Sequence, residues 1–410
     1  MSVPADTALE SRRGVFRVAI RKFDPFEAAI RERWASFCNL SGCGLQLEAE
    51  AFDVNELHGA LFARGGLRGG GWDVGFIVTD WLAEAMDSGA LADLGGRLRA
   101  APPGDCPGGW TESLLRHQRF GEVVLGLPYH DGPECLVYRK DLLAAIGVGP
   151  PRTWEEFRLL SRLLTAPGER RWGTVFAAFP DGHNTVYDFC LQLWTRGGEL
   201  FDAGGRLRLT TSTAEAALSF YREILADSAA VHPNCRSFDS VQSGFAFTRG
   251  EVAMMVNWFG FAALGETLEA SRVKGQIGVA PLPAAPGCAS ASLNVYWLLG
   301  VGAGSPHPDV AFEFIRHCVS PVGDKMLALG GGIGCRRSTW HDPEVLAKIP
   351  FYPILETLHA GARELPRLSH WARLAAVIDR LVIAAIDSSE SSADLLARAQ
   401  REAEAVEAGA

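Results

Sequence analysis

Short apolar segments alternate with amphipathic helices along the whole 410-residue sequence. Side chains repeat every two residues along a strand and every 3.6 along a helix, so this alternation predicts an α/β fold. The predicted strands are Phe16–Ile20, Leu45–Phe52, Asp73–Thr79, Glu122–Leu127, Leu136–Arg139, Thr174–Phe179, Val252–Asn257, Ile277–Ala280 and Val295–Val301. The clearest predicted helices are Glu27–Phe37, Thr213–Leu225 and Pro308–Val319.

The stretch PPRTWEEF, residues 150–157, carries the strongest local signal for the start of a helix. Thr153 and Glu156 have the spacing of a capping box, in which the hydroxyl caps the Glu156 backbone and the carboxylate reaches back. The two prolines before them stop the preceding helix, and Gly147 is placed to be its C-cap. The chain is long enough for two domains of ordinary size or one large two-lobed unit.

Composition excludes several classes of function. The net charge of −9 argues against a nucleic-acid partner, which needs a basic face. No apolar run approaches the ~20 residues of a membrane-spanning helix. The glycine-rich tract 65–71 lacks the pattern of a phosphate-binding loop and predicts a surface turn. Nine scattered cysteines without a CxxC pair indicate neither a zinc site nor a disulfide framework, and they favour a reducing compartment.

The first twenty residues leave the compartment open. Residues 11–13 resemble a twin-arginine export signal, but Arg17, Arg21 and Lys22 interrupt the apolar segment that should follow. The alternating segment Phe16–Ile20 therefore predicts a first strand. Two alternatives remain: the protein stays inside the cell, or a signal has been removed.

Eleven short sequence motifs occur in a characteristic order over most of the chain. They are DVGF (73–76), DW (80–81), GALADL (89–94), GLPY (126–129), VYRKDL (137–142), PPRTWEEF (150–157), W..GG (194–198), FTRGEVAM (247–254), IGVAPLP (277–283), residues 306–314 and GIGCRRS (332–338). In this order they resemble the extracellular solute-binding proteins of ABC importers, the family that includes maltose-binding and other sugar-binding receptors.

The resemblance implies a type II periplasmic-binding-protein-like fold with two α/β lobes and a ligand clamped between them. Lobe 1 would comprise residues 14–126 and 297–320, and lobe 2 residues 127–296 and 321–404. Residues 1–13 and 405–410 would be flexible termini. Hinge closure around the ligand is the implied motion, with chain crossings near Pro128, Trp297 and Pro321.

Aromatic side chains are the first candidates for ligand binding, because a sugar ring needs flat apolar faces. Trp81 and Trp258 each follow a predicted strand, where open α/β sheets place their ligands, and packing is the equal alternative. Tyr296 and Trp297 lie at the second implied hinge, so that one of them would point inward. Trp371 matches an aromatic cleft position of the sugar-binding members.

Polar side chains would bind the hydroxyl groups of such a ligand. Asp24 and Asp80 end strand segments, although each could be a helix N-cap instead. Asn257 could supply an amide. The remaining candidates come from the resemblance: Asn184 and Tyr187 at a helix start, the basic residue Arg336, and the segment Tyr129–Asp131, which includes His130, just past a hinge. For Arg336 the alternative is an ion pair on the lobe surface.

The cluster YHDGPEC, residues 129–135, invites a catalytic or metal-binding interpretation. Cys135 precedes an apolar strand, however, and His130 lies across a Gly–Pro turn from it. A nucleophilic cysteine needs a histidine within hydrogen-bond reach, and no second His/Cys pair at metal-ligand spacing accompanies this one. We therefore expect no catalytic residue, no metal and no cofactor, and Cys135 is expected to be a core thiol.

The expected function is non-enzymatic binding of a small polyhydroxylated ligand, a sugar or a sugar derivative. If the protein is exported, its partners would be the transmembrane subunits of an ABC permease, and it would act in the periplasm or at the cell surface. The alternatives are an enzyme on the same scaffold, a cytoplasmic ligand sensor or carrier, and a pure interaction protein.

Overall fold

A computed structural model describes residues 14–63 and 65–409, so the segment 1–13, with its twin-arginine-like motif, lies outside the described residues. The strands are β1 Val15–Arg21, β2 Gln46–Phe52, β3 Val74–Val78, β4 Arg119–Phe120, β5 Val123–Val124, β6 Leu127–His130, β7 Glu134–Arg139, β8 Trp172–Val175, β9 Val252–Trp258, β10 Ile277–Ala280, β11 Ser292–Leu293, β12 Trp297–Val301 and β13 Ala362–Arg363.

The α-helices that alternate with these strands follow the same chain order. They are α1 Asp24–Ser41, α2 Val54–His58, α3 Leu82–Ser88, α4 Gly95–Ala100, α5 Glu112–Arg116, α6 Lys140–Ala145, α7 Trp154–Leu163, α8 Asn184–Trp194, α9 Ser212–Leu225, α10 Ser240–Thr248, α11 Phe259–Thr267, α12 Pro308–Cys318, α13 Pro321–Leu329, α14 Arg337–Trp340, α15 Pro343–Lys348, α16 Ile354–Ala360, α17 Trp371–Asp387 and α18 Ser392–Ala408. Among the described residues, none of these helices is both long and apolar enough to cross a membrane.

The described chain divides into two compact units. Unit 1 comprises residues 14–131 and 295–347, and unit 2 comprises residues 132–294 and 348–409. The sequence places the third boundary at 320/321, whereas the chain leaves unit 1 only after residue 347. The reason for this difference is that α13 packs on α1 and α12 of unit 1.

A five-stranded sheet organises unit 1, with the strand order β2-β1-β3-β12-β6. β1 pairs in parallel with β2 and β3, while β12 is antiparallel to both of its neighbours. Helix α1 buries Phe26, Ile30, Trp34 and Phe37, a helical spacing that gives it one apolar stripe. The Trp34 ring stacks on Phe16 of β1 with 4.5 Å between ring centroids, which joins the helix to the sheet.

One edge of this sheet collects four chain segments. β1 and β3 end there and β6 ends beside them, because β6 and β3 both run antiparallel to β12, whose first residue lies at the same edge. Trp297 accordingly pairs with Val78 on one side and with His130 on the other. We call the residues at these strand ends (23–24, 79–81, 130–131 and 296–297) the unit 1 edge.

A four-stranded sheet organises unit 2, with the order β10-β7-β9-β8. β7 is antiparallel to β9 and β10, and β8 is parallel to β9. The first residue of β7, Glu134, lies opposite the last residue of β9, Trp258. Helices α8, α9, α17 and α18 pack against one another as one group within this unit.

Local sequence signals account for most element boundaries. The Glu156 backbone N–H donates to the Thr153 hydroxyl at 3.1 Å, which confirms the predicted capping box. The predicted strand Glu122–Leu127 is instead split into β5 and the start of β6. Gly126 lies at the break, where a Cβ atom would come 2.8 Å from the Leu299 carbonyl oxygen. The glycine tract is a turn, as predicted.

The C-terminal segment differs from the sequence-based expectation of a flexible end beginning at residue 405. Residues 405–408 continue α18, which the Ser391 hydroxyl caps by accepting from the Asp394 N–H. Ala403 is buried, and the Leu207 N–H donates to Glu407 Oε1 at 2.8 Å. These contacts hold the last helix against unit 2.

Candidate functional site

Two tryptophans meet at the unit 1 edge. Trp81 ends a short 3-10 turn, Thr79–Trp81, which the Thr79 N–H fixes by donating to the Tyr296 carbonyl oxygen at 3.1 Å. The Trp81 and Trp297 ring centroids lie 5.9 Å apart with the planes perpendicular. Trp297 is half-buried and Trp81 is 8% exposed, so Trp297 offers more of its ring to a ligand.

Two acidic residues, Asp24 and Asp80, also belong to the unit 1 edge. Asp24 is exposed and is the first residue of α1, where the helix dipole favours a negative charge, while Phe23 takes the N-cap position. Asp80 lies between Thr79 and Trp81 and is half-buried. The predicted side chains Asp24, Asp80, Trp81 and Trp297 are therefore gathered by one sheet.

His130 is a neutral hydrogen-bond acceptor in the structure. Its Nδ1 accepts from the Ile333 N–H at 2.9 Å, and the Asp131 N–H donates to the Ile333 carbonyl oxygen at 3.1 Å. The His130 ring also packs edge-on against Phe26, with 4.6 Å between centroids. Burial lowers the pKa of His130 to about 4, against an opposing contribution from Asp131.

Two predicted tyrosines point into the interior of unit 1. Tyr129 is 2% exposed and packs edge-on against Phe76 at 5.1 Å, and burial raises its pKa well above the ordinary value. Tyr296 is 1% exposed, and its hydroxyl donates to Gln118 Oε1 at 2.7 Å. These placements differ from the predicted ligand contacts, because the rings fill the core beneath the edge.

Arg336 also differs from its predicted role. Its side chain has no solvent exposure, and its guanidinium donates to the carbonyl oxygens of Val319 at 2.6 Å and Gly104 at 2.8 Å. It pairs with Asp105 and lies 3.9 Å from the centroid of the Trp110 ring. The arginine therefore holds loops of unit 1 together from inside, instead of forming the surface ion pair considered for it.

In unit 2, an aromatic pair lies where β9 ends. Trp258 is half-buried, and its ring is nearly perpendicular to that of Tyr187 with 5.7 Å between centroids. Asn184 begins α8, the helix that carries Tyr187, and its amide donates to Asp181 Oδ2 at 2.8 Å. Three of the residues predicted in this unit, Asn184, Tyr187 and Trp258, thus lie on or beside the α8–β9 contact.

Two further predicted residues of unit 2 have structural contacts. The Asn257 amide donates to the Ser240 carbonyl oxygen at 3.0 Å, and its Oδ1 accepts from the Trp258 N–H at 2.8 Å. Both ends of this side chain are thereby engaged in shaping the turn after β9. Trp371 is 4% exposed at the start of α17, and its ring lies 6.5 Å from that of Phe201.

Two buried acids of unit 2 are not among the residues that the sequence predicts to bind ligand. Glu134 is 4% exposed at the start of β7, and Asp188 is 6% exposed within α8. The sequence gives a sign of each residue. Glu134 begins a largely apolar strand, and Asp188 is the one charged residue in the helical segment VYDFCLQLW. Charged residues are almost never buried without a partner or a task.

Cys135 has the properties of a core thiol. It has no solvent exposure, and its Sγ donates to the Asn257 carbonyl oxygen at 3.7 Å. Burial raises its pKa well above that of a free thiol, which disfavours the nucleophilic thiolate. Across residues 14–63 and 65–409, no three His, Cys, Asp or Glu side chains form a group able to hold a metal ion.

Concave surfaces also occur away from these residues. A groove of about 570 Å³ in unit 1 is lined by Arg17, Arg31, Glu48 and Trp72 among others, and a groove of about 460 Å³ in unit 2 runs along α17 and α18. None of the residues predicted to bind ligand lines either groove. The predicted ligand-binding residues of each unit therefore lie outside these two grooves.

Comparison with known proteins finds relatives that match more than half of this chain. A probable ABC transporter-binding protein of Deinococcus radiodurans is 27% identical over 257 residues, which cover 61% of this chain and 60% of that protein. An uncharacterised lipoprotein encoded 5′ of oleD in Streptomyces antibioticus is 31% identical over 268 residues, covering 63% of this chain and 56% of the relative. The matches thus span less than two thirds of these relatives' lengths.

Solved structures match almost the whole chain. Maltose-bound MalE3 of T. maritima superposes with a TM-score of 0.86 at 23% identity, covering 96% of this chain and 100% of that one. A ribitol complex of an ABC transporter solute-binding protein from Agrobacterium radiobacter gives 0.87 at 22% identity, covering 96% and 98%. This likeness confirms the predicted α/β fold of the two-lobed solute-binding proteins.

Family membership follows from a match across both units. The family model for bacterial extracellular solute-binding proteins matches residues 55–325, more than half of the 410. The matched range includes the Trp81–Trp297 pair of unit 1 and the Tyr187–Trp258 pair of unit 2. The chain belongs to the bacterial extracellular solute-binding protein family.

Proposed function

We propose that this protein is a receptor for a small polyhydroxylated solute, a sugar or a polyol, and that it serves an ABC-type importer. The observation that carries the proposal is the perpendicular Trp81–Trp297 pair at the unit 1 edge, 5.9 Å between centroids, with Asp24 and Asp80 on the same strand ends. Flat apolar rings beside carboxylates are the side chains that a sugar needs.

The chemistry of the edge suits a ligand with one apolar face and many hydroxyl groups. Half-buried Trp297 can pack against ring C–H groups, while Asp80 and Asp24 can accept hydrogen bonds from hydroxyls. A polar group desolvated by ligand but left unpaired costs roughly 1–3 kcal/mol, so these acids would discriminate against ligands that lack hydroxyls. His130 would remain uncharged near neutral pH and adds no positive charge to the edge.

The solved relatives support the same ligand class. Among them are complexes with maltose, ribitol and D-mannitol. Family membership supports a receptor that works outside the membrane with permease subunits as partners, and the same reasoning leads us to propose that the protein has no catalytic activity. The buried Cys135 thiol is consistent with this absence of catalysis.

A thermal-shift screen over sugars and polyols tests the proposal. Ligand at 100 times its dissociation constant should add ~2.7 kcal/mol to the free energy of unfolding and raise the midpoint. We expect Trp297→Ala to weaken binding of the best ligand by about tenfold or more, because loss of the platform removes apolar contact. Leu159→Ala, which truncates an apolar side chain that is 68% exposed on α7, is the control and should bind normally.

Two results would contradict the proposed function. One is a panel in which no sugar or polyol moves the unfolding midpoint. The other is conversion of a bound ligand into a product, followed by NMR over many equivalents of ligand, which would favour the enzyme alternative.

A further inference from the structure

Glu134 occupies a defined place at the edge of the unit 2 sheet. Its register partner is Trp258, and its carbonyl oxygen accepts from the Ser292 hydroxyl at 2.5 Å. The residue before it, Pro133, accepts at its carbonyl oxygen from the Phe259 N–H at 3.1 Å. The backbone on both sides is therefore fixed, and the carboxyl group cannot leave this position by a simple loop movement.

The Glu134 carboxyl has no hydrogen-bond partner among the described residues. Its Oε2 is fully buried and receives no donor. No lysine, arginine or histidine in residues 14–63 and 65–409 forms an ion pair with it. Burying an unpaired carboxylate is strongly unfavourable, so the arrangement is favourable only with a proton on the group or with a ligand against it.

A second buried acid of unit 2, Asp188, follows Tyr187 on α8. Asp188 is buried, and its Oδ2 accepts from the Tyr221 hydroxyl at 2.7 Å. Burial, followed by the charge of Asp188, raises the pKa of Glu134 well above its ordinary value, and burial raises the pKa of Asp188 to about 7. Ionisation of both acids at once is therefore unfavourable unless a positive charge lies beside them.

Among the described residues, the titratable groups that interact with the pair supply no such charge. Asp181 adds negative charge to Asp188, while its own carboxylate accepts from the His183 and Asn184 backbone and from the Asn184 amide. Cys135, Tyr221 and Cys235 also interact with the pair, and these groups are neutral thiols and a neutral phenol.

An aromatic surface adjoins the two acids. Tyr187 precedes Asp188 on α8, and Trp258 lies opposite Glu134 in the sheet, with the two rings 5.7 Å apart. Aromatic faces attract cations. A primary ammonium group brings one positive charge and three N–H donors, which suits a buried pair of acids in which Glu134 Oε2 receives no donor.

We propose that Glu134 and Asp188 select a ligand that carries a protonated amine, such as an amino sugar or an aminated polyol. This inference rests on the proposed function and narrows its ligand class. A metal ion is the less suitable occupant, because in the described part of the chain no third acid, histidine or cysteine completes a coordination group. The amine would replace the proton that the pair otherwise retains.

Paired probes test the amine requirement on the full-length protein. D-glucosamine is compared with D-glucose, and 1-amino-1-deoxy-D-sorbitol with D-sorbitol, by calorimetry near pH 7. We expect the amino member of at least one pair to bind about tenfold tighter or better. Glu134→Gln, which keeps the shape but cannot ionise, should reduce that preference to about twofold or less, whereas the exposed control Glu269→Gln should retain it.

A second readout follows the proton. If an ammonium group displaces a shared proton, binding of the amino probe should release about one proton in wild type, seen as different binding enthalpies in phosphate and in Tris buffer. Glu134→Gln should release fewer, and the neutral probe should release none. A folded Glu134→Gln variant is verified first by its circular dichroism and unfolding midpoint.

Each remaining outcome has a distinct meaning. If the neutral members bind as tightly as the amino members, the amine inference fails and the proposed function stands. If Glu134→Gln keeps the amine preference, another site generates it and the inference fails. If no member of either pair binds and the wider sugar panel also fails, the proposed function and the inference fall together.

Discussion

At the scale of single residues, burial decides which polar side chains can meet a ligand. The sequence offers Arg336, Asn257 and Asp24 alike as polar candidates for ligand binding. In the structure, backbone groups occupy hydrogen-bonding atoms of the Arg336 and Asn257 side chains. Asp24 is exposed at the unit 1 edge. When a buried group exchanges its internal hydrogen-bond partner for a ligand, the lost bond offsets the bond that is gained. Residues whose polar atoms already have internal partners are therefore poorer candidates for ligand binding.

His130 makes acid pH destabilising. Its pKa is about 4 in the folded protein against 6.5 for the ordinary group, so the unfolded chain binds the proton first as the pH falls. The stabilisation is complete above pH 6.5 and is lost as the pH falls towards 4. We expect wild type to lose about 2 kcal/mol more unfolding free energy than His130→Asn between about pH 7 and about pH 4.5.

Urea unfolding at the two pH values measures this difference. Asparagine is chosen because its Oδ1 can accept the Ile333 N–H as Nδ1 does, without titrating. Equal stability of the two proteins near neutral pH is the control for a retained fold. An identical pH dependence in both would show that His130 is not the sensitive group.

At the scale of the element, capping signals and apolar stripes set where helices begin. The Thr153–Glu156 box and the stripe of α1 were readable because each depends on residues within a few positions of one another. The sequence predicts a flexible end from residue 405, whereas α18 continues to Ala408. Local patterns do not show this, because the contact from Leu207 to Glu407 joins residues 200 positions apart. The stability of α18 is therefore not a local property.

Removing the capping hydroxyl tests the local part of this account. Thr153→Ala leaves the Glu156 N–H without its acceptor at 3.1 Å and should lower the free energy of unfolding by ~1 kcal/mol. Thr210→Ala, at an exposed position before α9, is the matched control and should change it by less than about 0.5 kcal/mol. Equal effects in urea unfolding would mean that the box contributes nothing specific.

At the scale of the whole molecule, each unit is assembled from two separate stretches of chain. β12, from the stretch 295–347, lies between β3 and β6 of the stretch 14–131. Without β12, the backbone groups of two strands and the apolar face around them lose their partner. The first 131 residues therefore lack a central strand of their own sheet.

A fragment experiment follows from this topology. We expect residues 14–131, produced alone, to show no cooperative thermal transition by circular dichroism, and co-expression with residues 295–347 to restore one. A scrambled version of the second fragment is the control, since it has the same composition without the strand. A sharp transition in the first fragment alone would contradict the requirement for β12.

The sequence by itself determined the fold class, most strand positions, the capped helix starts and the motif order that resembles the solute-binding family. These features are encoded by periodicity and by contacts over short spans of chain, which is why they are readable in one dimension. The sequence also named Trp81, which follows a predicted strand, and Trp297, which lies at the second hinge implied by the resemblance.

Only the tertiary structure decided which of these residues share a surface. Trp81 and Trp297 are brought 5.9 Å apart by antiparallel pairing of strands more than 200 positions apart. In unit 2, strand pairing places Trp258 opposite Glu134, and the Trp258 ring contacts Tyr187 of α8. The tertiary structure also placed Tyr129, Tyr296 and Arg336 inside. Burial and pairing depend on the whole packed chain, because neighbours distant in sequence determine whether a side chain meets solvent or protein.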